Sequence, residues 1–137
     1  MNYWLMKSEP SSYSWDQLNK DTRTGWSGVC NFQANNNMKA MKVGDRAFFY
    51  HSGEDPAVVG IAEICRAHYP DPSDKTQRFG MVDIKPVMPF KTPVTLVDIK
   101  KDPKVKDMVL AKNSRLSVQP VTADEWKQVC KMGGIKG

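Results

Sequence analysis

Apolar residues first gather at Trp4-Leu5-Met6, between Tyr3 and Lys7, an extended run that predicts a strand over 3–7 and is ended by Pro10. Ser14-Trp15-Asp16-Gln17 then has the S-x-x-Q spacing of a capping box, so a short helix is expected to start there. Asp21 to Gly28 shows no apolar period and reads as a loop. Asn31 is placed to cap a second helix reaching about Met41, and Gly44-Asp45 turns the chain into Ala47-Phe48-Phe49-Tyr50-His51. That run is nearly continuous in apolar character, so its strand should be buried on both faces.

After a turn at Gly53 to Pro56, a long strand is predicted over Ala57 to Tyr69, with Ile61, Glu63 and Cys65 alternating against Ala62, Ile64 and Arg66. Pro70 to Asp74 reads as an exposed loop and Phe79 to Val87 as another strand. Pro93 to Met108 holds short helices interrupted at Pro103, and Leu116-Ser117-Val118 forms a last strand. Thr122 to Glu125 is a second capping box, opening a C-terminal helix that stops at Gly133-Gly134. Strands of uneven length with helices inserted between them, without the regular alternation of a parallel sheet, predict an α+β fold around a small mixed β-barrel. No repeat, low-complexity tract or linker divides the chain, so residues 1–137 are read as a single domain, long enough to build a core without staples.

Composition narrows the functional classes. Cys30, Cys65 and Cys130 are odd in number and widely spaced, with no C-x-x-C pair, which points to reduced thiols instead of a disulfide framework. His51 and His68 lie too far from the cysteines to form a recognisable metal box, so no metal or other cofactor is expected. No apolar run approaches the roughly 18 residues that cross a bilayer, and Met1 to Pro10 is too polar for a signal peptide. A soluble, cytoplasmic monomer without a membrane role is the expectation. Twenty Lys and Arg against fifteen Asp and Glu give a net charge of +5, which favours acidic partners without the dense basic arms of strong nucleic-acid binders.

The chemistry concentrates in Trp26-Ser27-Gly28-Val29-Cys30-Asn31 and Phe48-Phe49-Tyr50-His51-Ser52, which mix aromatic rings with Asn, His and Ser where a core would want neither. A nucleobase suits that mixture, offering a π-face to stack on and a polar edge to read. Gly25 and Gly28 around Trp26 let backbone approach a ligand while exposing the indole, although the same residues would serve a Trp that merely anchors its loop. Asn31 can pair with a base edge or cap a helix. Trp15 and Trp126 are expected in the core, and Trp4 fits either environment.

Four blocks also carry a family resemblance: Tyr3-Trp4-Leu5-Met6-Lys7-Ser8-Glu9-Pro10, Trp26 to Ala34, Met41-Lys42-Val43-Gly44-Asp45 running into Phe49 to Ser52, and Arg115-Leu116-Ser117-Val118-Gln119-Pro120. Together they resemble the EVE domain family over nearly the whole chain. The resemblance implies a PUA-like fold related to the YTH and ASCH domains, and a pocket that holds a modified base, especially a 5-modified cytosine in DNA. Carried onto this sequence, it implies a base-binding pocket of Lys7, Ser8, Trp26, Gly28, Val29, Asn31, Tyr50, His51, Ser52 and Ser117, with Arg115 on the nucleic-acid backbone. Where the family's pattern usually has Arg, this chain has Cys30, and Asn35 replaces another position that is often basic. Both changes remove positive charge near the proposed mouth. Phe79 stands where many relatives carry Trp, which keeps an aromatic ring.

The reading that follows is a non-enzymatic module binding nucleic acid, with modified DNA favoured and a PUA-type RNA-binding role as the alternative. A rival from another class is a cysteine-dependent enzyme, with Cys30 as a thiolate at a helix start and His51 as its base. No oxyanion motif accompanies those two residues.

Overall fold

The structure, a computed structural model, describes residues 1–26, 31–72, 74–76, 78–113 and 116–135. Its elements are β1 (Tyr3–Ser8), α1 (Trp15–Asp21), β2 (Thr24–Gly25), α2 (Phe32–Ala40), β3 (Arg46–His51), β4 (Ala57–Pro70), β5 (Gly80–Thr95), α3 (Leu96–Lys101), α4 (Val109–Lys112), β6 (Val118–Val121) and α5 (Ala123–Met132). The strands form one six-stranded sheet in the order β2-β5-β4-β3-β1-β6. β1 and β3 run parallel, with Leu5 opposite Phe48 and Ser8 opposite His51, while the other pairs are antiparallel. A parallel pair needs a crossover, and α1, β2 and α2 supply it. The α+β class is as expected, but among the described residues no pairing joins β2 to β6, so the sheet stays open and the expected barrel is not closed.

Side-chain alternation divides the core into two. Trp4, Met6, Ala47 and Phe49 point to the face covered by Trp15 and Leu18 of α1 and Ala34 and Met38 of α2. Leu5, Phe48 and Tyr50 point to the other face, under Ile99, Leu110, Trp126 and Val129. β3 is buried on both sides as its apolar run predicts, with Phe48 and Phe49 fully covered on opposite faces. Trp126 is sandwiched between Tyr3 and Phe48, at centroid distances of 4.5 and 3.9 Å. Trp4 is also core, its Nε1–H donating to the buried Asp45 carboxylate at 3.2 Å. Gly60 on β4 is required by close approach, because a Cβ there would stand 2.5 Å from the Trp15 ring.

The predicted caps form with one difference. Ser14 accepts from the Gln17 N–H, but the Gln17 side chain donates to Asp21, so only half of that capping box is present. Thr122 and Glu125 form the complete box. β5 runs on to Thr95, well past the expected end at Val87 and through Pro93, because Ala57 and Val58 of the long β4 still pair with Thr95 and Val94. β6 begins at Val118, and the expected loop before residue 28 contains the short strand β2.

Candidate base-binding site

The chain reaches the site along the edge of β5. Thr24 and Gly25 pair with Ile84 and Asp83, and the Trp26 N–H donates to the Val82 carbonyl at 2.7 Å. Asp83 fixes this edge. Its Oδ2 accepts from Arg23 Nε and Nη2 at 3.2 and 2.7 Å, and its Oδ1 accepts from the Tyr69 hydroxyl. Burial pushes the Asp83 carboxyl up, yet donation by Tyr69 and Arg23 outweighs it and leaves the pKa below the usual carboxylate value. The Arg66 guanidinium covers the Tyr69 ring, 3.7 Å from its centroid. An ionised, almost fully buried carboxylate thus ties β2 to β4 and β5 one residue before the indole.

Trp26 is half-buried and meets Phe49 at 5.8 Å with the rings perpendicular. Whichever ring supplies the edge, that contact leaves at least one face of the indole unstacked by Phe49. Phe49 is itself held by Trp15 at 5.4 Å and by His51 at 5.7 Å, so the floor beneath Trp26 is a packed aromatic cluster. His51 Nε2 accepts from the Trp15 N–H at 3.0 Å, satisfying one of the orphan donors at the start of α1. Burial lowers the His51 pKa, against a smaller opposing pull from Asp16, which matches a neutral ring with Nε2 as acceptor and the proton on Nδ1. Next to it, Ser8 donates from Oγ to the Tyr13 carbonyl at 2.6 Å, and its backbone carbonyl accepts from the Ser52 N–H at 2.9 Å.

A cavity of about 520 Å³ opens beside His51 and Ser52, lined also by Glu9, Pro10, Ser11, Gly53, Glu54 and Asp55. Glu9, Glu54 and Asp55 give that rim three carboxylates, which repel phosphate. A larger cavity, about 760 Å³, lies away from this cluster under α5, among Met88, Lys91, Lys127, Cys130, Lys131, Gly134 and Ile135. It shares no residue with the Trp26 cluster.

The structure divides the residues that the sequence grouped. Trp26 and His51 both pack on Phe49, and Ser8 lies opposite His51 in the β1–β3 pair and is hydrogen-bonded to Ser52. Tyr50 belongs to the opposite face: it is buried in the second core, its pKa pushed up to about 12 by burial, with Lys7 Nζ 5.7 Å from its ring. Strand alternation is the reason, since neighbours along β3 and β1 point to opposite sides and only one of each pair can reach one pocket. Burial also lowers the Lys7 pKa. Ser117 is half-buried and reaches Lys7 through its carbonyl, which accepts the Lys7 N–H at 2.8 Å. Asn31 caps α2, accepting from the Ala34 N–H at 2.9 Å, which leaves its amide NH2 donors for any other partner. Gly28, Val29, Cys30 and Arg115 lie outside the described residues. Asp83, Arg23 and Tyr69 were missed by reading the sequence, although an Asp inside the apolar run Met81 to Ile84 is itself a signal that a buried charge has partners.

The EVE domain family model matches residues 2–132, and the chain belongs to that family. Human thymocyte nuclear protein 1 is 34% identical over an alignment covering 96% of this chain and 73% of that protein. Rpa0253 from Rhodopseudomonas palustris is 57% identical, with a TM-score of 0.93 over 98% of this chain and 94% of its own. The human THYN1 protein, in a crystal structure with 5-methylcytosine-containing DNA, is 32% identical, with a TM-score of 0.90 over the full length of both chains.

Proposed function

We propose that this EVE protein is a single-domain, non-enzymatic reader of nucleic acid that takes an extruded base, 5-modified cytosine in DNA being favoured, onto the Trp26 indole. The observation carrying the reading is the half-buried Trp26, held edge-to-face on Phe49 at the end of a strand that Asp83 anchors. The DNA complex of the human relative supports the choice of ligand. Ser8, His51, Ser52 and the Asn31 amide are the proposed polar groups around the base, with Gly28, Val29 and Ser117 bordering it and Arg115 on the backbone. Cytoplasmic residence and a monomeric state belong to the same reading.

Extruding a base costs a few kcal/mol and one stacking platform returns about 1–3 kcal/mol, so affinity is modest unless backbone contacts add to it. A fully buried 5-methyl group contributes about 0.8 kcal/mol, near fourfold selectivity. Catalysis by a Cys30–His51 pair is disfavoured by the hydrogen bonding of His51, whose Nε2 lone pair is engaged by a backbone N–H and so is not available as a base. Titrating duplexes and single strands, DNA and RNA, that carry cytosine or 5-methylcytosine at one position tests the reading. Selective binding to a modified strand that disappears in Trp26→Ala is the expected result. Equal affinity for modified and plain strands of every kind would sink it.

A further inference from the structure

We propose that Phe32 and Phe79 form a second stacking platform, which takes a base about three nucleotides along the strand from the one held at Trp26; this rests on the base-reader function proposed above. Phe32 opens α2 directly after Asn31 and is 58% exposed, an unusual position for a large apolar ring. Single exposed apolar residues are ordinary. Here, however, the ring lies 4.9 Å from Phe79 at an interplanar angle of 39°, and Phe79 is held from several directions.

Asp74 is the first clamp. Its Oδ2 accepts from the N–H groups of Phe79 and Arg78 at 2.8 and 3.0 Å, while Oδ1 accepts from the Thr76 N–H and hydroxyl at 3.0 and 2.6 Å. The Phe79 carbonyl accepts from the Asp71 N–H at 3.3 Å. Asn35 is the second clamp, 2% exposed and one turn beyond Phe32 on the same helix. Its Nδ2 donates to the Arg78 carbonyl at 3.4 Å and its Oδ1 accepts from the Gly80 N–H at 3.0 Å, bracketing Phe79 between them. The helix that carries one ring therefore also fixes the other. Preorganisation of this kind lowers the ordering cost of a ligand that stacks there.

Position and charge point to the occupant. Phe79 precedes by three residues Val82, whose carbonyl binds the Trp26 N–H, a separation of about 10 Å along an extended chain. With 3.4 Å between stacked nucleotides, that reach is about three steps of one strand. Three exposed basic side chains stand near the rings against the carboxylate of Asp74: Arg78 precedes Phe79, Lys75 lies in the Asp74 turn, and Lys39 on α2 is close enough to His68 to help lower its pKa, after burial. An aromatic platform with cationic neighbours suits an unstacked base with its phosphate, and stacking of this kind tolerates any base.

The test uses a single-stranded heptanucleotide with one central 5-methylcytosine, its plain-cytosine counterpart, and the variants Phe32→Leu, Phe32→Trp and Trp26→Ala. Phe32→Leu keeps an apolar side chain without a ring, and it should weaken both oligonucleotides equally, roughly 5- to 150-fold for one lost stacked base. Phe32→Trp should keep or improve affinity. Trp26→Ala should instead collapse the ratio between the two oligonucleotides, so failure of the pocket and failure of the platform read out separately. Unchanged affinities in Phe32→Leu overturn the platform. A change in the modified-to-plain ratio in that variant also overturns it, because Phe32 would then belong to the reading pocket itself.

Discussion

At the scale of single residues, Trp26 is both packed and available, and the two roles have separable costs. Losing its edge-to-face contact with Phe49 and part of its burial should cost about 1–2 kcal/mol of stability, in line with one aromatic pair and partial apolar exposure. Trp26→Ala should therefore melt only somewhat lower while losing base selectivity; a much deeper loss of stability with selectivity retained would make the indole a core anchor. His51 makes a different prediction. Its folded pKa is below the ordinary value of about 6.5, so the unfolded chain binds the extra proton first as pH falls. Its contribution is complete above pH 6.5 and is lost as the pH drops from there toward the folded pKa, because protonating Nε2 breaks the bond from Trp15. His68 shifts in the same direction, so the comparison has to be between wild type and His51→Gln, whose Oε1 can accept the same N–H without titrating. Chemical unfolding from pH 8 to 5 should show a shallower loss in the variant, and identical slopes would mean that His51 protonation is not linked to folding.

At the scale of elements, the short strand β2 is the piece that places the indole, and its hold depends on Asp83 more than on Arg23. Arg23 is largely exposed, and its ion pair with Asp83 should be worth no more than about 1 kcal/mol. Asp83→Ala removes the acceptor of both Arg23 and Tyr69 from a buried position and should cost about 1–3 kcal/mol. Base selectivity should fall in Asp83→Ala and survive in Arg23→Ala; equal effects, measured by titration and melting, would mean that the exposed arginine does the positioning. The sequence made most elements legible because their signals are local: Ser14, Asn31 and Thr122 all act as N-caps, and Ala47 to His51 forms the doubly buried strand its apolar run requires. What escaped was set by pairing between distant segments. β2 exists because β5 offers it an edge, and β5 lengthens because β4 does, neither of which a local window contains. The site was half legible for the same reason. Family blocks placed Lys7 with Ser8 and Tyr50 with His51, whereas the pleat sends Tyr50 into one core and His51 toward the other face.

At the scale of the whole molecule, the net charge of +5 is unevenly placed. Lys127 and Lys131 of α5 line two grooves, one shared with Lys91 and the other with Lys104, on the side of the sheet away from Trp26. The cavity beside His51 carries three carboxylates instead. The α5 grooves are therefore a rival to the Trp26 side for a phosphate backbone, and base reading at Trp26 requires that the α5 side not be the one used. Salt dependence separates them, since each phosphate contact adds about −0.9 to the log–log slope on duplex DNA and about −0.7 on a single strand. Cys30, one residue before the α2 cap, stands where the EVE pattern usually has Arg, so Cys30→Arg should steepen the slope by about one such increment while leaving base preference unchanged. Lys127→Gln with Lys131→Gln should leave both slope and preference as they are. If the double variant flattens the slope by about two increments and Cys30→Arg does nothing, the strand runs over α5, and Trp26 cannot be the surface that receives the base.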